Sequence, residues 1–117
     1  LHYADELNTA RDKAFRLSYA KTFKLQPDVY AVQGYDAAQL LAAGLKAAGG
    51  DITKRDAVVK GMETAKLDSP RGTMTMSKAH NPVQDIYLRK VEGKVNKMVG
   101  VASKQLADPA RGCKAAM

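Results

Sequence analysis

Apolar residues recur at a helical spacing near the start of the chain. Phe15, Tyr19 and Phe23 fall four residues apart within ARDKAFRLSYAKTF, and most of the lysines and arginines lie between them. An apolar stripe of this kind predicts an amphipathic helix, for which Asn8 is the expected N-cap. Pro27 ends the segment, because a proline pushes the residue before it out of helical geometry.

The next segment is almost entirely apolar. It begins near Tyr30 to Tyr35, continues as DAAQLLAAGLKAA and ends at Gly49-Gly50, where a glycine is the expected C-terminal stop. Little polar surface remains between Ala37 and Ala48. We therefore expect this second helix to be covered on more than one side.

A third helix and then a change of period follow. Thr53-Lys54-Arg55-Asp56 has a capping-box pattern, with Asp where Glu is usual, and predicts a helix running to about Ala65. In GTMTMS, Met74 and Met76 alternate with threonines, which predicts a strand. DIYLRKV and KVNKMVGVAS, joined by Glu92-Gly93, indicate a β-hairpin. The tail from Leu106 on is predicted to be a surface coil.

These elements predict an α/β fold in which three helices are followed by a strand and a β-hairpin. A two-stranded ribbon is marginal alone and offers too little surface to cover an apolar helix. We therefore expect the partner of the second helix to be a larger sheet that is encoded upstream. The chain opens on Leu1, without a methionine and without the layout of a secretory signal. We interpret it as part of a longer protein or as a processed form.

Composition and charge exclude several classes. The 117 residues suit one domain, and no stretch approaches the ~20 apolar residues of a membrane span. The net charge of +7 is scattered, with no long basic run, which disfavours nucleic-acid binding and is typical of a solvated surface. Cys113 is the single cysteine. Either it pairs with a cysteine outside this sequence, or it is a free thiol.

Candidate catalytic and metal-binding groups are sparse. His2 and His80 have no second ligand at a helical spacing and no nucleophile in a recognisable arrangement, so we predict no enzyme, no metal site and no cofactor. Tyr35 and Asp36 are better interpreted as a core anchor and a residue favoured by the helix dipole than as an acid-base pair. Arg71 lies in DSPRG, where proline and glycine explain a turn; nothing further supports a role in binding a carboxylate.

The order and spacing of these segments resemble one protein family. PDVYAVQGYDAAQLL, a Gly-Gly helix end, a short helix, DSPRGTMTMSKAHNPVQDIYL and a final VEGKV hairpin follow one another. From Asp5 to about Ser103 the chain is similar to the C-terminal third of type I periplasmic solute-binding proteins of ABC importers, specifically the branched-chain amino acid (leucine/isoleucine/valine-binding-like) family. The resemblance implies a fragment of a two-lobe α/β protein whose lobes, joined by hinge strands, close around a small solute.

The resemblance also implies a division of the chain. Residues 1–77 are expected to be the helical remainder of the N-terminal lobe, residues 78–84 a hinge crossing, residues 85–103 a strand pair of the C-terminal lobe and residues 104–117 a tail. The expected hinge residues are those of the HNP sequence: His80, Asn81 and Pro82.

Three residues are expected to bind the solute. In the resembling family an aromatic residue at the position of Tyr30, just before the long helix, lines the cleft and packs on the apolar part of the solute. Gln33 and Gly34 follow one helical turn later and are expected to reach the same cleft. A tyrosine packed on its own lobe and a glycine that permits close packing are the structural alternatives.

The implied function is that of an extracytoplasmic receptor in the periplasm, made with a signal peptide in its precursor. It would deliver a small carboxylate-bearing solute to an ABC permease by hinge closure. Two solute classes stay open: a branched-chain or other apolar amino acid, and an aromatic acid. The alternative function is a ligand-sensing domain of a receptor or regulator with the same fold. We expect the isolated chain to bind no amino acid and to self-associate through Leu40, Leu41 and Leu45.

Overall fold

Three helices precede a four-stranded antiparallel sheet, which confirms the predicted fold class. The computed structural model describes residues 1–112 and residue 114. Cys113, whose pairing the sequence leaves open, lies outside the described residues. The helices are α1 (Ala10–Phe23), α2 (Val29–Ala47) and α3 (Arg55–Glu63); the strands are β1 (Lys66–Ser69), β2 (Gly72–Met76), β3 (Pro82–Glu92) and β4 (Val95–Leu106). They lie in the order β1-β2-β3-β4.

Two of the predicted helix caps are wrong. Thr9, not Asn8, caps α1: its Oγ1 accepts a hydrogen bond of 3.0 Å from the backbone N–H of Asp12. Asn8 has a positive φ of 62° and donates its own N–H to the Asp12 carboxylate. At α3, the Thr53 hydroxyl bonds to Asp51 at 2.6 Å and no side chain caps the helix. Local hydroxyl and carboxylate pairings therefore displace the expected caps.

An additional hairpin lies where the sequence predicts a turn. β1 pairs with β2 from Lys66↔Thr75 to Ser69↔Gly72. The turn is thus confined to Pro70 and Arg71, and Gly72 has a φ of 110° that favours glycine. The sequence does not predict β1, because KLDS is too short to show a strand period before the turn residues begin.

The core lies where α1 and α2 pack on the N-terminal segment. It is formed by Tyr3, Phe15 and Val32. The Tyr3 hydroxyl donates to the buried carboxylate of Asp12 at 2.7 Å, and burial followed by this bond raises the Tyr3 pKa well above its usual value. Among the described helices, none combines the length and apolar character that a membrane span requires.

Two apolar surfaces stay exposed. One is a stripe of mostly small and apolar residues on α2, which we call the open face of α2; its exposed members are Tyr30, Gln33, Gly34, Ala37, Ala38, Leu41 and Ala42. The other is the β3–β4 hairpin, where Leu88, Val91 and Val99 are more than half exposed. The molecule is accordingly flat, measuring 47 × 36 × 19 Å. Its radius of gyration of 15.7 Å exceeds the roughly 13 Å of a compact domain of this length.

Candidate functional site

The three predicted solute-binding residues share one surface. α2 begins after Asp28, whose carboxylate accepts a hydrogen bond of 2.9 Å from Ala31 N–H, so the first turn is firmly capped. Tyr30, Gln33 and Gly34 are all exposed, and their spacing of three and four residues places them on the same side of the helix. Tyr30 leaves 74% of its surface uncovered. The first turns of α2 therefore present the ring of Tyr30, the amide of Gln33 and, at Gly34, backbone that no side chain covers.

Tyr35 points the other way, into the core. Its ring centroid lies 4.9 Å from that of Phe15 in a tilted arrangement, and Arg11 contacts its hydroxyl at 3.5 Å. Aromatic pairs in this geometry stabilise packing. Tyr35 therefore anchors α2 on α1, while Tyr30 is left free for another partner.

Behind the open face lies a buried polar network that the sequence does not reveal. Asp36 and Arg71 are 3% and 8% exposed, and Arg71 Nε donates to Asp36 Oδ2 at 2.8 Å. The Ser69 hydroxyl donates to the same oxygen at 2.8 Å, and Arg71 Nη1 donates to Gln84 Oε1. Finally, the Tyr87 hydroxyl donates to the Arg71 carbonyl at 2.9 Å. The turn of the β1–β2 hairpin therefore joins α2 to β3.

This network corrects two interpretations from the sequence. Asp36 forms a buried ion pair with Arg71, so the helix dipole is not the main reason for its position. Arg71 is an interior ion-pair partner, so turn formation alone does not explain it. The two residues lie 35 positions apart. Only a lone Asp in an apolar helix and a lone Arg between Pro and Gly could have suggested the pairing.

A cavity of about 300 Å³ opens beside the network. Two acceptor atoms that have no hydrogen-bond partner, Asp36 Oδ1 and His2 Nε2, belong to residues that line it. Gln33 and Gln84 add amide groups, and apolar walls complete the lining: Ala37, Leu40, Met74, Met76 and Pro82. A buried acceptor without a donor is costly, so the cavity is suited to a group that donates hydrogen bonds.

His2 is held in its neutral form. Burial is the first cause, and the nearby charges of Arg71, the Leu1 ammonium and Arg89 act in the same direction. Together they lower the pKa of His2 from its usual 6.5 to about 4. A backbone hydrogen bond at Val29 opposes the shift. Because Nε2 is unpaired, His2 contributes an acceptor to the cavity when Nδ1 carries the proton.

Two of the predicted hinge residues, His80 and Asn81, lie in a tight turn between β2 and β3, and the third, Pro82, begins β3 and pairs with Met76. Ser77 N–H donates to the Asn81 carbonyl at 2.8 Å, and His80 has a φ of 60°. The His80 ring contacts Glu63 of α3 at 2.8 Å. The Asn81 amide donates to Asp108 at 2.6 Å. The turn is therefore tied to α3 on one side and to the tail on the other.

Two distant segments of the chain meet further along β3. The Leu1 ammonium donates to the Tyr87 carbonyl at 2.9 Å, and Tyr87 N–H donates to the Leu1 carbonyl at 2.7 Å. Asp5 also bonds to Asn96 of β4: its N–H donates to the Asn96 carbonyl at 3.0 Å, and its carboxylate accepts a bond of 2.7 Å from Asn96 N–H. The N-terminal segment therefore runs beside the β3–β4 hairpin.

Within the part of the chain that the structure describes, no group of three or more His, Cys, Asp or Glu side chains is arranged to hold an ion.

Comparison with known proteins gives the same fold in longer chains. A solute-binding protein of an ABC transporter from R. palustris, solved with benzoate, is 48% identical, with a TM-score of 0.94 over 97% of this chain and 32% of its own. A second, from Rhodopseudomonas palustris BisB5 with 3,4-dihydroxybenzoic acid, is 32% identical with a TM-score of 0.80, over 93% and 31%. A leucine-binding protein from Thermotoga maritima shares the fold at 18% identity and a TM-score of 0.71, over 86% and 29%.

The chain thus spans about a third of the length of the solved structures it matches. A comparison with curated protein sequences finds no match. The family model described as "Periplasmic binding protein" matches residues 1–96, which is most of the chain and includes all three helices and β3. The chain therefore belongs to the periplasmic binding protein family.

Proposed function

We propose that this chain is the C-terminal third of a periplasmic solute receptor that delivers a small aromatic carboxylic acid to an ABC permease. The observation that carries the proposal is the 48% identity and TM-score of 0.94 to a receptor solved with benzoate. The 32% identical structure also holds an aromatic acid. The leucine-binding protein is more distant, so we favour the aromatic acid over the branched-chain amino acid.

The open face of α2 and the exposed hairpin support a larger whole. Apolar surfaces of this extent on a flat molecule are typical of interfaces. We propose that strands of the N-terminal lobe cover the open face of α2 from Ala37 to Ala42 and that strands of the C-terminal lobe cover the hairpin. The first turn of α2, with Tyr30, Gln33 and Gly34, is left for the cleft. A donor from the covering strands would also satisfy Asp36 Oδ1 and His2 Nε2.

The division of the chain follows from this proposal. Residues 1–77 belong to the N-terminal lobe, residues 78–84 lead into the hinge crossing and residues 85–103 pair in the other lobe. Strand β4 continues to Leu106, so the tail begins after this residue and not at residue 104 as the sequence predicts. The mutual hydrogen bonds of Leu1 and Tyr87 support a second crossing strand beside β3.

Tyr30, Gln33 and Gly34 form the proposed solute contacts of this lobe. The tyrosine ring provides a flat apolar surface for an aromatic ring, the glutamine amide provides a donor and an acceptor, and the glycine leaves space for close approach. Contacts from both lobes favour the closed state, so binding shifts the receptor toward closure. The proposed activity needs no chemical step.

Titration of the full-length receptor tests the proposal. We expect benzoate to bind and leucine to bind far more weakly. Tyr30→Ala should weaken benzoate binding about tenfold or more, since a buried aromatic contact contributes on this scale, whereas Tyr30→Phe keeps the ring and most of the affinity. Phe23→Ala is the matched control, because it removes another exposed aromatic ring, from α1.

The outcomes separate the alternatives. Tight leucine binding without benzoate binding would show that the solute is an apolar amino acid and not an aromatic acid. Absence of binding to both classes would contradict the receptor function. Equal benzoate affinity in wild type and Tyr30→Ala would show that Tyr30 does not contact the solute.

A further inference from the structure

Arg71 occupies a position that the solute-receptor function does not by itself explain. It lies at the tip of the β1–β2 hairpin yet is 8% exposed, and the turn that carries it is inserted between three elements. Thr9 of the α1 cap donates to the Pro70 carbonyl at 3.2 Å, Asp36 of α2 pairs with the guanidinium, and Tyr87 of β3 donates to the Arg71 carbonyl.

The guanidinium itself spans two of these elements. Its Nε donates to Asp36 on α2, and its Nη1 donates to Gln84 on β3. Among the side-chain hydrogen bonds of residues 1–112, no direct one joins α2 to β3, so the path through Arg71 connects them. A planar fork with fixed donor directions holds both partners at a set angle, which a flexible ammonium does not.

We infer that Arg71 is a positioning residue that fixes the orientation of α2, with its proposed solute face, relative to β3, along which the chain passes toward the other lobe. The effect on binding rests on the proposed function, because the closed receptor must bring the first turn of α2 and the opposite lobe into contact with the same solute. If the angle between α2 and β3 is no longer fixed, some receptor molecules adopt orientations that do not bind the solute. The apparent affinity then falls in proportion to the fraction of molecules in the orientation that binds.

Gln84→Ala tests this while keeping both buried charges in place. It removes the β3 end of the path and leaves the Asp36–Arg71 pair intact. Gln39→Ala is the matched control: Gln39 also lies on α2 and its amide donates one hydrogen bond, at 3.2 Å, but to the Asp68 carbonyl of β1. Arg71→Lys keeps the positive charge but loses the fork, so it separates charge from geometry.

Two measurements are made on each variant. Calorimetric titration of the full-length receptor with benzoate should show about a fivefold or greater loss for Gln84→Ala and Arg71→Lys, the scale of a modest coupling between sites, and no change for Gln39→Ala. Hydrogen exchange on the 117-residue chain should show faster exchange of the Tyr87 amide in the first two variants and wild-type exchange in the control.

Unchanged affinity and unchanged exchange in Gln84→Ala would overturn the inference, as would an equal loss in Gln39→Ala, because that pattern reports general destabilisation. If the wild-type receptor binds no aromatic acid, the proposed function fails. The exchange measurement then still decides whether Arg71 holds β3 in place.

Discussion

At the scale of single residues, the Asp36–Arg71 pair places two opposite charges in the interior. Both side chains are almost fully buried, and charges removed from water are tolerated only when paired and hydrogen-bonded. Ser69 and Gln84 provide the additional bonds. The pair therefore makes the fold sensitive to the loss of either partner.

Arg71→Met should lower the free energy of unfolding by about 3–5 kcal/mol, because it leaves the Asp36 carboxylate buried without a cation. The double variant Asp36→Leu with Arg71→Met should recover much of that loss, since no charge stays buried. Urea unfolding at one protein concentration measures both. A double variant that is less stable than the single would show that the hydrogen bonds outweigh the burial of charge.

His2 gives the chain a pH dependence with a defined sign. Its folded pKa of about 4 lies below the usual 6.5, so between these values the unfolded chain binds more protons at this site. The contribution to stability is fully present above pH 6.5 and is lost as the pH falls through 4. Unfolding measured across this window should be less pH-dependent in His2→Gln than in wild type. Parallel curves would show that His2 titrates alike in both states.

At the scale of elements, the crossing of α2 and α3 depends on two glycines. A Cβ on Gly44 would lie 2.7 Å from the Val58 carbonyl oxygen and 2.8 Å from Met62 Cγ, and one on Gly61 would lie 2.5 Å from Ala47 Cβ. Helices approach this closely only where side chains are absent. The short α3 is thereby held against the C-terminal half of α2.

Gly44→Ala should destabilise the chain by about 1–3 kcal/mol, the usual cost of overpacking. Gly34→Ala, on the same helix, meets no atom within 4 Å and should stabilise it by up to about 1 kcal/mol through helix propensity. Thermal unfolding of the two variants beside wild type tests the contrast. A shift of equal sign in both would contradict the packing account.

At the scale of the whole molecule, this chain has too little interior for its apolar content. The open face of α2 and the β3–β4 hairpin are uncovered, and the flat shape leaves them accessible. In the proposed receptor the other two thirds cover the hairpin and the open face of α2 beyond its first turn, so the separate chain must expose these surfaces or bury them against a second copy.

We expect the isolated chain to self-associate through the open face of α2, because burial of apolar surface favours association. Leu41→Lys should shift sedimentation toward the monomer, and Leu17→Lys, which changes an exposed leucine on α1, should not. A wild-type monomer at high micromolar concentration would contradict the expectation. We also expect the isolated chain to bind no amino acid or aromatic acid, since it supplies only part of the cleft.

The sequence alone determined what depends on neighbours along the chain. Helical spacing of Phe15 and Tyr19, a glycine stop after α2 and strand alternation from Met74 on are local signals, and they predicted three helices and the hairpin correctly. The order of these segments also gave the family. Cap identity was less well predicted, because Thr9 and Asn8 compete for the same first turn and only packing around Asp12 decides between them.

Tertiary structure alone decided what joins residues far apart. No local pattern pairs Asp36 with Arg71 or brings Gln84 to the same guanidinium, because a buried ion pair forms only when the fold excludes water from both partners. Likewise, the spacing of Tyr30 and Gln33 placed them on one side of a helix, but only packing of the opposite side on Phe15 and β1 left that side open. Periodicity specifies which face is apolar; the arrangement of the elements decides which apolar face is buried.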